Sequence, residues 1–245
     1  MRDDIFQRTE LLVGSEALER IARQRVLVVG VGGVGSWCAE SLVRSGIRHL
    51  TIVDCDKVCA SNINRQLMAT TLTIGCPKVE ALRQRLLEIN PKAEITALEQ
   101  LFTQDTASDF HLDDYDYVID AIDSLKDKAL LIELACASHA KLFSSMGAAL
   151  KMDPSRIRVT EFWKVTGDPL ARALRNKFKK EKRFPSRKFQ CVYSDELLAN
   201  HDVPSYDDEQ PTMINKPHAN GTVAHITAIF GFTLAGLVIQ DVIGK

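Results

Sequence analysis

The stretch RVLVVGVGGVGSWCAESLVRSG, from Arg25 to Gly46, decides the fold. An apolar strand runs directly into a glycine-rich turn, and a helical pattern follows until Gly46. A strand without polar alternation belongs to a sheet covered on both faces. Gly30, Gly32 and Gly35 fit G-x-G-x-x-G, and Gly33 adds a fourth glycine. The first allows the tight turn, the second lets backbone N–H groups approach phosphate, and the third lets helix and strand pack. The helix N-terminus adds partial positive charge at the same place. The turn predicts a nucleotide site; a glycine turn used only for packing is the competing reading.

The surrounding sequence repeats the strand–helix alternation. Residues 5–24 read as one entry helix, with apolar positions at helical spacing. HLTIVD (49–54) is a second strand, and Lys78 to Ile89 is a helix with Pro91 after its end. EITALEQ (94–100) and YDYVIDAID (115–123) are further strands, Asp127 to Ala140 is helical, and LFSSMG (142–147) is a fifth strand. This order predicts an α/β, Rossmann-like, doubly wound and mostly parallel sheet. We read 1–245 as a single domain. Residues 1–150 form the nucleotide-binding core, and 151–245 form an extension that completes the sheet and a dimer and faces the substrate. In that extension RIRVTEFWKV (156–165) reads as a strand with one exposed face. From Arg172 to Lys188 there are nine basic residues and one acidic, Glu181. The basic segment, about 168–190, is expected to be mobile.

Bulk properties exclude little. The 245 residues are 45% hydrophobic and 26% charged with a formal net charge of −1, so a polyanionic partner would have to bind a local cluster. Of the six cysteines, none forms a C-x-x-C pair; Cys55 and Cys59 are spaced C-x3-C without a second pair to complete a zinc site. MRDDIFQRTE does not read as a signal peptide, so a cytoplasmic protein is expected. Ile226 to Ile243 is apolar but includes Gln240 and Asp241. It reads as a buried or amphipathic helix, with membrane association the less favoured alternative.

The residues after the second strand narrow the chemistry. Asp54 lies 19 residues beyond Gly35, where a carboxylate grips ribose hydroxyls. That fits NAD and ATP equally, and no G-x-x-x-x-G-K-[ST] sequence is present. DCDKVCASNINRQ then brings Asp54, Asp56, Asn62, Arg65 and Gln66 into one loop. Arg65 offers paired donors to phosphate oxygens. Lys78, in GCPKVEA, can reach the same polyphosphate, and Asp120 and Asp123 end the fourth strand where a carboxylate can hold Mg²⁺. Together these suggest cleavage of a triphosphate rather than hydride transfer. Each also has a plain alternative: Arg65 pairing with Asp56 on the surface, Lys78 facing solvent, Asp120 capping a helix.

The set GVGGVGS, DCDKVCASNINRQ, GCPKVEA and DAIDS, in this order, resembles the ubiquitin-activating-enzyme-like family, which includes the bacterial adenylyltransferases for ThiS- and MoaD-type sulfur carriers. The likeness runs from about Arg8 to Gly147. It implies ATP and Mg²⁺, with Asp54 on the ribose, Asn62 and Arg65 on the nucleotide, Lys78 on phosphate and Asp123 supporting the metal. It implies that Arg8 reaches the ATP of a neighbouring subunit, hence a homodimer, and that Arg8, Arg65, Lys78 and Asp123 carry the catalysis. The adenylyltransferases usually carry two zinc-binding C-x-x-C pairs, absent here. GDPLARALRNKFKK, CVYSDE and HANGTVAHITAIFGF instead resemble the branch that dehydrates threonylcarbamoyladenosine in tRNA. This second likeness covers nearly the whole chain and implies ATP-dependent cyclisation of N6-threonylcarbamoyladenosine at position 37 of tRNA. Adenylation of a ubiquitin-like sulfur carrier is the alternative.

A tRNA partner gives the basic segment a role: Arg172, Arg175, Lys177, Lys179 and Lys180 would track phosphates, with Phe178, Phe184 and Phe189 either stacking on bases or facing the core. A monovalent cation site is a further implication of the family, without residues that identify it. A sulfur-relay protein partner would require an exposed thiol near NGTVAHITA, where no cysteine occurs. His218 is a candidate to lie near substrate, and His225 is expected in the core.

Overall fold

The structure, a computed structural model, describes residues 4–201 and 220–244. Seven strands form one sheet: β1 (Arg25–Val29), β2 (His49–Val53), β3 (Glu94–Leu98), β4 (Tyr117–Asp120), β5 (Lys141–Ser145), β6 (Ile157–Glu161) and β7 (Gln190–Ser194). Their order is β3-β2-β1-β4-β5-β7-β6, and only the β6–β7 pairing is antiparallel. The predicted doubly wound sheet is thus present, and the extension adds its last two strands. The order reverses at β1, between β2 and β4, so the crevice for a ligand opens beyond the C-terminal end of β1.

Two-residue periodicity divides β1 between two cores. Val26 and Val28 join one apolar cluster, and Leu27 and Val29 join the other. The first lies under α3 (Gly35–Arg44), α4 (Lys78–Ile89) and α7 (Ala224–Ile243), through Cys38, Leu42, Leu82, Leu86, Phe230 and Leu234. The second lies under α5 (Leu125–Ala137) and α6 (Pro169–Glu181), through Leu131, Ile132, Leu174 and Phe178. A fully buried leucine or phenylalanine of this kind contributes roughly 1.5–3 kcal/mol.

Three expectations need correction. The entry helix is two, α1 (Gln7–Val13) and α2 (Ser15–Arg23), because Gly14 takes φ 85° and the Ser15 hydroxyl donates to Glu10 Oε1 at 2.5 Å. The stretch 168–190, expected to be mobile, contains α6, started by Asp168, whose carboxylate accepts from the N–H of Ala171 at 2.8 Å. Phe178 and Phe189 are core residues packed on Phe162, the first edge-on and the second stacked, whereas Phe184 is 52% exposed. His225 is exposed on the first turn of α7, with Nε2 2.9 Å from the carbonyl of Met152. His218 lies outside the described residues.

α7 is long and apolar enough to cross a membrane, with a hydropathy of 1.9. It nevertheless packs on α3 so closely that a Cβ on Gly231 would fall 2.5 Å from the Val34 carbonyl oxygen. That contact belongs to a helix of the protein core.

Candidate active site

The glycine turn is shaped by two close approaches. Gly30 has φ 87°, and a Cβ there would lie 2.7 Å from the Ala121 carbonyl oxygen. A Cβ on Gly35 would lie 1.8 Å from the carbonyl oxygen of Gly30. Gly32 differs: its Cβ would meet nothing nearer than Gln66 Nε2 at 3.8 Å, so the space beside it is open. Val34, the residue before α3, makes no side-chain cap, and Gly32, Gly33 and Val34 line the cleft. The first turn of α3 therefore faces a cleft of about 550 Å³.

Asp54 is fixed at the end of β2 by its own loop. The N–H of Val31 donates to Oδ2 at 2.9 Å and the N–H of Asp56 to Oδ1 at 3.0 Å. Burial pushes its pKa above the usual aspartate value of 3.8, opposed by Lys78 and by those two N–H donors. Lys78 arrives because the chain before α4 pairs with the Asp54–Val58 loop. The N–H of Lys78 donates to the Asp56 carbonyl, and that of Val58 to the Cys76 carbonyl, both at 2.9 Å. Its ammonium is buried, 2.8 Å from Asp56 Oδ2 and 3.8 Å from Asp54 Oδ1. The surface lysine of the plain reading is not found. A cation held between two carboxylates at the mouth of a glycine turn has its charge directed at the cleft.

Acidification should weaken the ribose contact early. Since burial raises the Asp54 pKa above that of an ordinary aspartate, AMP affinity is expected to fall as pH drops through that raised value. Isothermal titration across pH checks this, and Asp54→Asn should bind weakly with a flat profile.

The opposite wall comes from the end of β4. Ala121, Ile122, Asp123 and Ser124 line the cleft, with Asp127 behind them, where it accepts from the Ser124 hydroxyl at 2.8 Å. Asp120 does not cap a helix. It is fully buried with Lys128. Asp123 offers oxygen donors on the cleft wall, the class that Mg²⁺ takes alongside phosphate oxygens.

Arg65 lines the cleft, with Nη1 donating at 2.8 Å both to the Ser61 carbonyl and to Asn64 Oδ1 rather than to Asp56. Asn62 accepts from the N–H of Cys59 at 3.1 Å and closes its own loop; it does not line the cleft. Neither does Arg8, exposed on α1, nor Gly35, which serves packing. Beyond the predicted set, Gln100, Leu101 and Phe102 line one end of the cleft. Ser145 to Ala149, Leu170, Asn220, Thr222 and Thr227 line the other. The cleft is thus lined by the nucleotide-binding core and, through Leu170, Asn220, Thr222 and Thr227, by the extension.

Among the described residues, no cysteine is poised as a nucleophile in the cleft. Cys55 lines it, but burial and the flanking carboxylates push its pKa up to about 11. Cys38, Cys136 and Cys191 are buried, and Cys76 is exposed outside the cleft. Asp54, Cys55 and Asp56 bring ligand atoms within 4.8 Å of one another, and the Lys78 ammonium pairs with both carboxylates.

The ThiF family model matches residues 6–245. The chain belongs to the ThiF family. It is 37% identical to a tRNA threonylcarbamoyladenosine dehydratase of Bacillus subtilis strain 168, across 97% of this chain and 94% of that one. Its fold matches the crystal structure of the E. coli tRNA N6-threonylcarbamoyladenosine dehydratase in complex with ATP, with a TM-score of 0.86 and 34% identity, covering 100% of this chain and 98% of the other. The likeness to the molybdopterin-synthase adenylyltransferase of Escherichia coli strain K12, also 34% identical, covers 67% of this chain and 63% of that enzyme.

Proposed function

We propose that this ThiF-family protein uses ATP to dehydrate N6-threonylcarbamoyladenosine at position 37 of tRNA, closing a ring through the threonyl carboxylate. The observation that carries this reading is the likeness to a dehydratase across 97% of the chain, extension included. The adenylyltransferase likeness, by contrast, covers two thirds of it.

A carboxylate is a poor electrophile because its oxygen leaves badly. Attack of the threonyl carboxylate on the α-phosphorus of ATP gives an acyl-adenylate and releases pyrophosphate; attack on the γ-phosphorus gives an acyl-phosphate and releases ADP. A nucleophile in the same side chain then attacks the acyl carbon at high effective molarity, loses its proton and expels AMP or phosphate, which carries off one carboxylate oxygen, so the nucleoside loses the elements of one water. In this reading Asp54 holds the ribose, and the open space at Gly32 and the first turn of α3 receive phosphates. Lys78 and Arg65 offset the charge that develops on the leaving group. Mg²⁺, where bound, would sit against Asp123 and the phosphates and add to that charge neutralisation. No residue is assigned to a monovalent cation. The shelf of Ser145 to Ala149, small residues in the main, leaves room for the modified adenosine.

A homodimer fits the surface of α1. Leu11 and Leu12, each 82% exposed, lie on the same helix as Arg8, one turn further on, so a partner covering them would also receive Arg8. The protein is placed in the cytoplasm with its tRNA. We assign no sulfur-relay partner.

Within α6 the basic residues divide. Arg172, Lys179 and Lys180 are exposed. Arg175 instead donates to the carbonyls of Phe162 and Val165 at 3.1 and 2.9 Å, and Lys177 pairs with Glu181. Neutralising Arg172, Lys179 and Lys180 together is expected to weaken tRNA binding. Its log–log salt slope should fall by about 0.7–0.9 for each phosphate that no longer meets a cation. Arg175→Ala should lower the melting temperature instead. Filter binding at several salt concentrations, with thermal unfolding, separates the two.

The deciding experiment is mass spectrometry of nucleosides from threonylcarbamoyladenosine-containing tRNA after incubation with the protein, ATP and Mg²⁺. The expected result is ATP-dependent loss of one water. No loss by folded, ATP-binding protein would move the assignment to carrier-protein adenylation.

A further inference from the structure

Two fully buried charges lie directly behind the cleft wall that carries Asp123. Lys128, on the first turn of α5, and Asp120, at the end of β4, are both 0% exposed, with Nζ 2.8 Å from Oδ2. The same ammonium donates to the carbonyl of Ile122 at 3.0 Å. The other carboxylate oxygen, Asp120 Oδ1, accepts from the N–H of Ile122 at 3.2 Å. The pair therefore grips both polar groups of one residue, inside the turn from Ala121 to Ser124. From the neighbouring strand the Ser144 hydroxyl donates to Asp120 Oδ2 at 2.6 Å. At the start of the turn the N–H of Ala121 donates to the Val29 carbonyl at 2.9 Å, and the Ala121 carbonyl abuts Gly30.

A buried ion pair adds little to stability on its own, because desolvation offsets much of its attraction. Here its hydrogen bonds converge on the residue next to Asp123. We propose that the Lys128–Asp120 ion pair is a positioning device: it holds the Ala121–Ser124 turn so that Asp123 faces the phosphates and their metal ion. Lys128 touches neither nucleotide nor acceptor in this scheme. It acts through Ile122 and the turn, as outer partners of metal-binding carboxylates do elsewhere. The proposal rests on the reading of the cleft as an ATP site.

Removing Lys128 alone strands a buried carboxylate, so the test uses Asp120→Asn with Lys128→Met, which removes both charges. Thermal unfolding reports the fold. Isothermal titration reports binding of AMP without metal, and of a non-hydrolysable ATP analogue across a Mg²⁺ series. The expected result is a folded protein with nearly unchanged AMP affinity. The Mg²⁺ concentration that half-saturates analogue binding should rise about 10–100-fold. An unchanged Mg²⁺ dependence overturns the proposal, and so does an equal weakening of AMP and analogue, which marks general loosening of the cleft. If the double variant does not fold, Ser144→Ala decides. It removes one donor to Asp120 and should shift the Mg²⁺ dependence in the same direction, while no shift overturns the proposal. Wild-type protein that binds neither ligand would instead defeat the ATP reading itself.

Discussion

Lys78→Ala lowers kcat/KM for ATP by about 10²–10³-fold in a protein that remains folded, the loss seen when one fixed charge or donor is removed from a developing anion. Three features argue for an effect at the upper end. The ammonium is only 7% exposed, so water screens it little. It lies 2.8 Å from Asp56 and 3.8 Å from Asp54, and without it two carboxylates face an incoming polyphosphate unopposed. Lys78 is also the strongest influence holding the Asp54 pKa down against burial, so its loss moves the acid limit of ribose binding to higher pH. Lys78→Arg keeps the charge but must fit a planar fork into the same buried slot, and it is expected to recover only part of the activity. Steady-state kinetics over an ATP series, run at two pH values, checks all three points. Activity of Lys78→Ala within a few-fold of wild type would remove Lys78 from the chemistry.

Gly35→Ala and Gly32→Ala, three residues apart, should fail in opposite ways. At Gly35 the new methyl would sit 1.8 Å from the Gly30 carbonyl oxygen, which is rigid backbone, so the turn must move. The expected cost is about 3 kcal/mol of stability, with nucleotide binding lost as a consequence. At Gly32 the methyl meets only a flexible glutamine end at 3.8 Å. Stability should stay within about 0.5 kcal/mol of wild type. The methyl nevertheless fills the space through which backbone N–H groups reach phosphate. ATP affinity should drop about a hundredfold, roughly 3 kcal/mol. Thermal unfolding and isothermal titration on both variants give four numbers. A Gly35→Ala protein as stable as wild type, or a Gly32→Ala protein that binds ATP normally, would contradict the account of the turn.

What could be read from the chain depended on whether the signal was local. The path from β1 through the glycines to α3 was legible because strand, turn and helix each leave a short-range pattern. Lys78 was legible as a charge after Gly75 and Pro77, although its two carboxylate partners were not. Asn62 was drawn toward the nucleotide by resemblance, whereas its side chain closes its own loop at Cys59. The helical face of α6, Leu174 and Phe178, was concealed by the lysines and arginines around it. Lys128 sits in LKDKA, a run that reads as a solvated helix start, and only the packing shows it to be buried. The run Ser145 to Ala149 carries no side-chain motif of its own, and only the fold brings it to the cleft beside Leu170, Asn220 and Thr227.

Gly33 lies against Thr227, whose methyl would be 3.1 Å from a Cβ there, and Gly231 lies against the backbone at Val34 and Cys38. The phosphate turn near the start of the chain is therefore braced by a helix some two hundred residues later. On the ribosome the segment containing Gly30 to Gly35 emerges long before α7, and such distant contacts form late. A nascent chain released before Thr227 and Gly231 have been added would carry every nucleotide motif and still lack a finished ATP site. The phosphate turn is thus complete only once α7 has packed against α3.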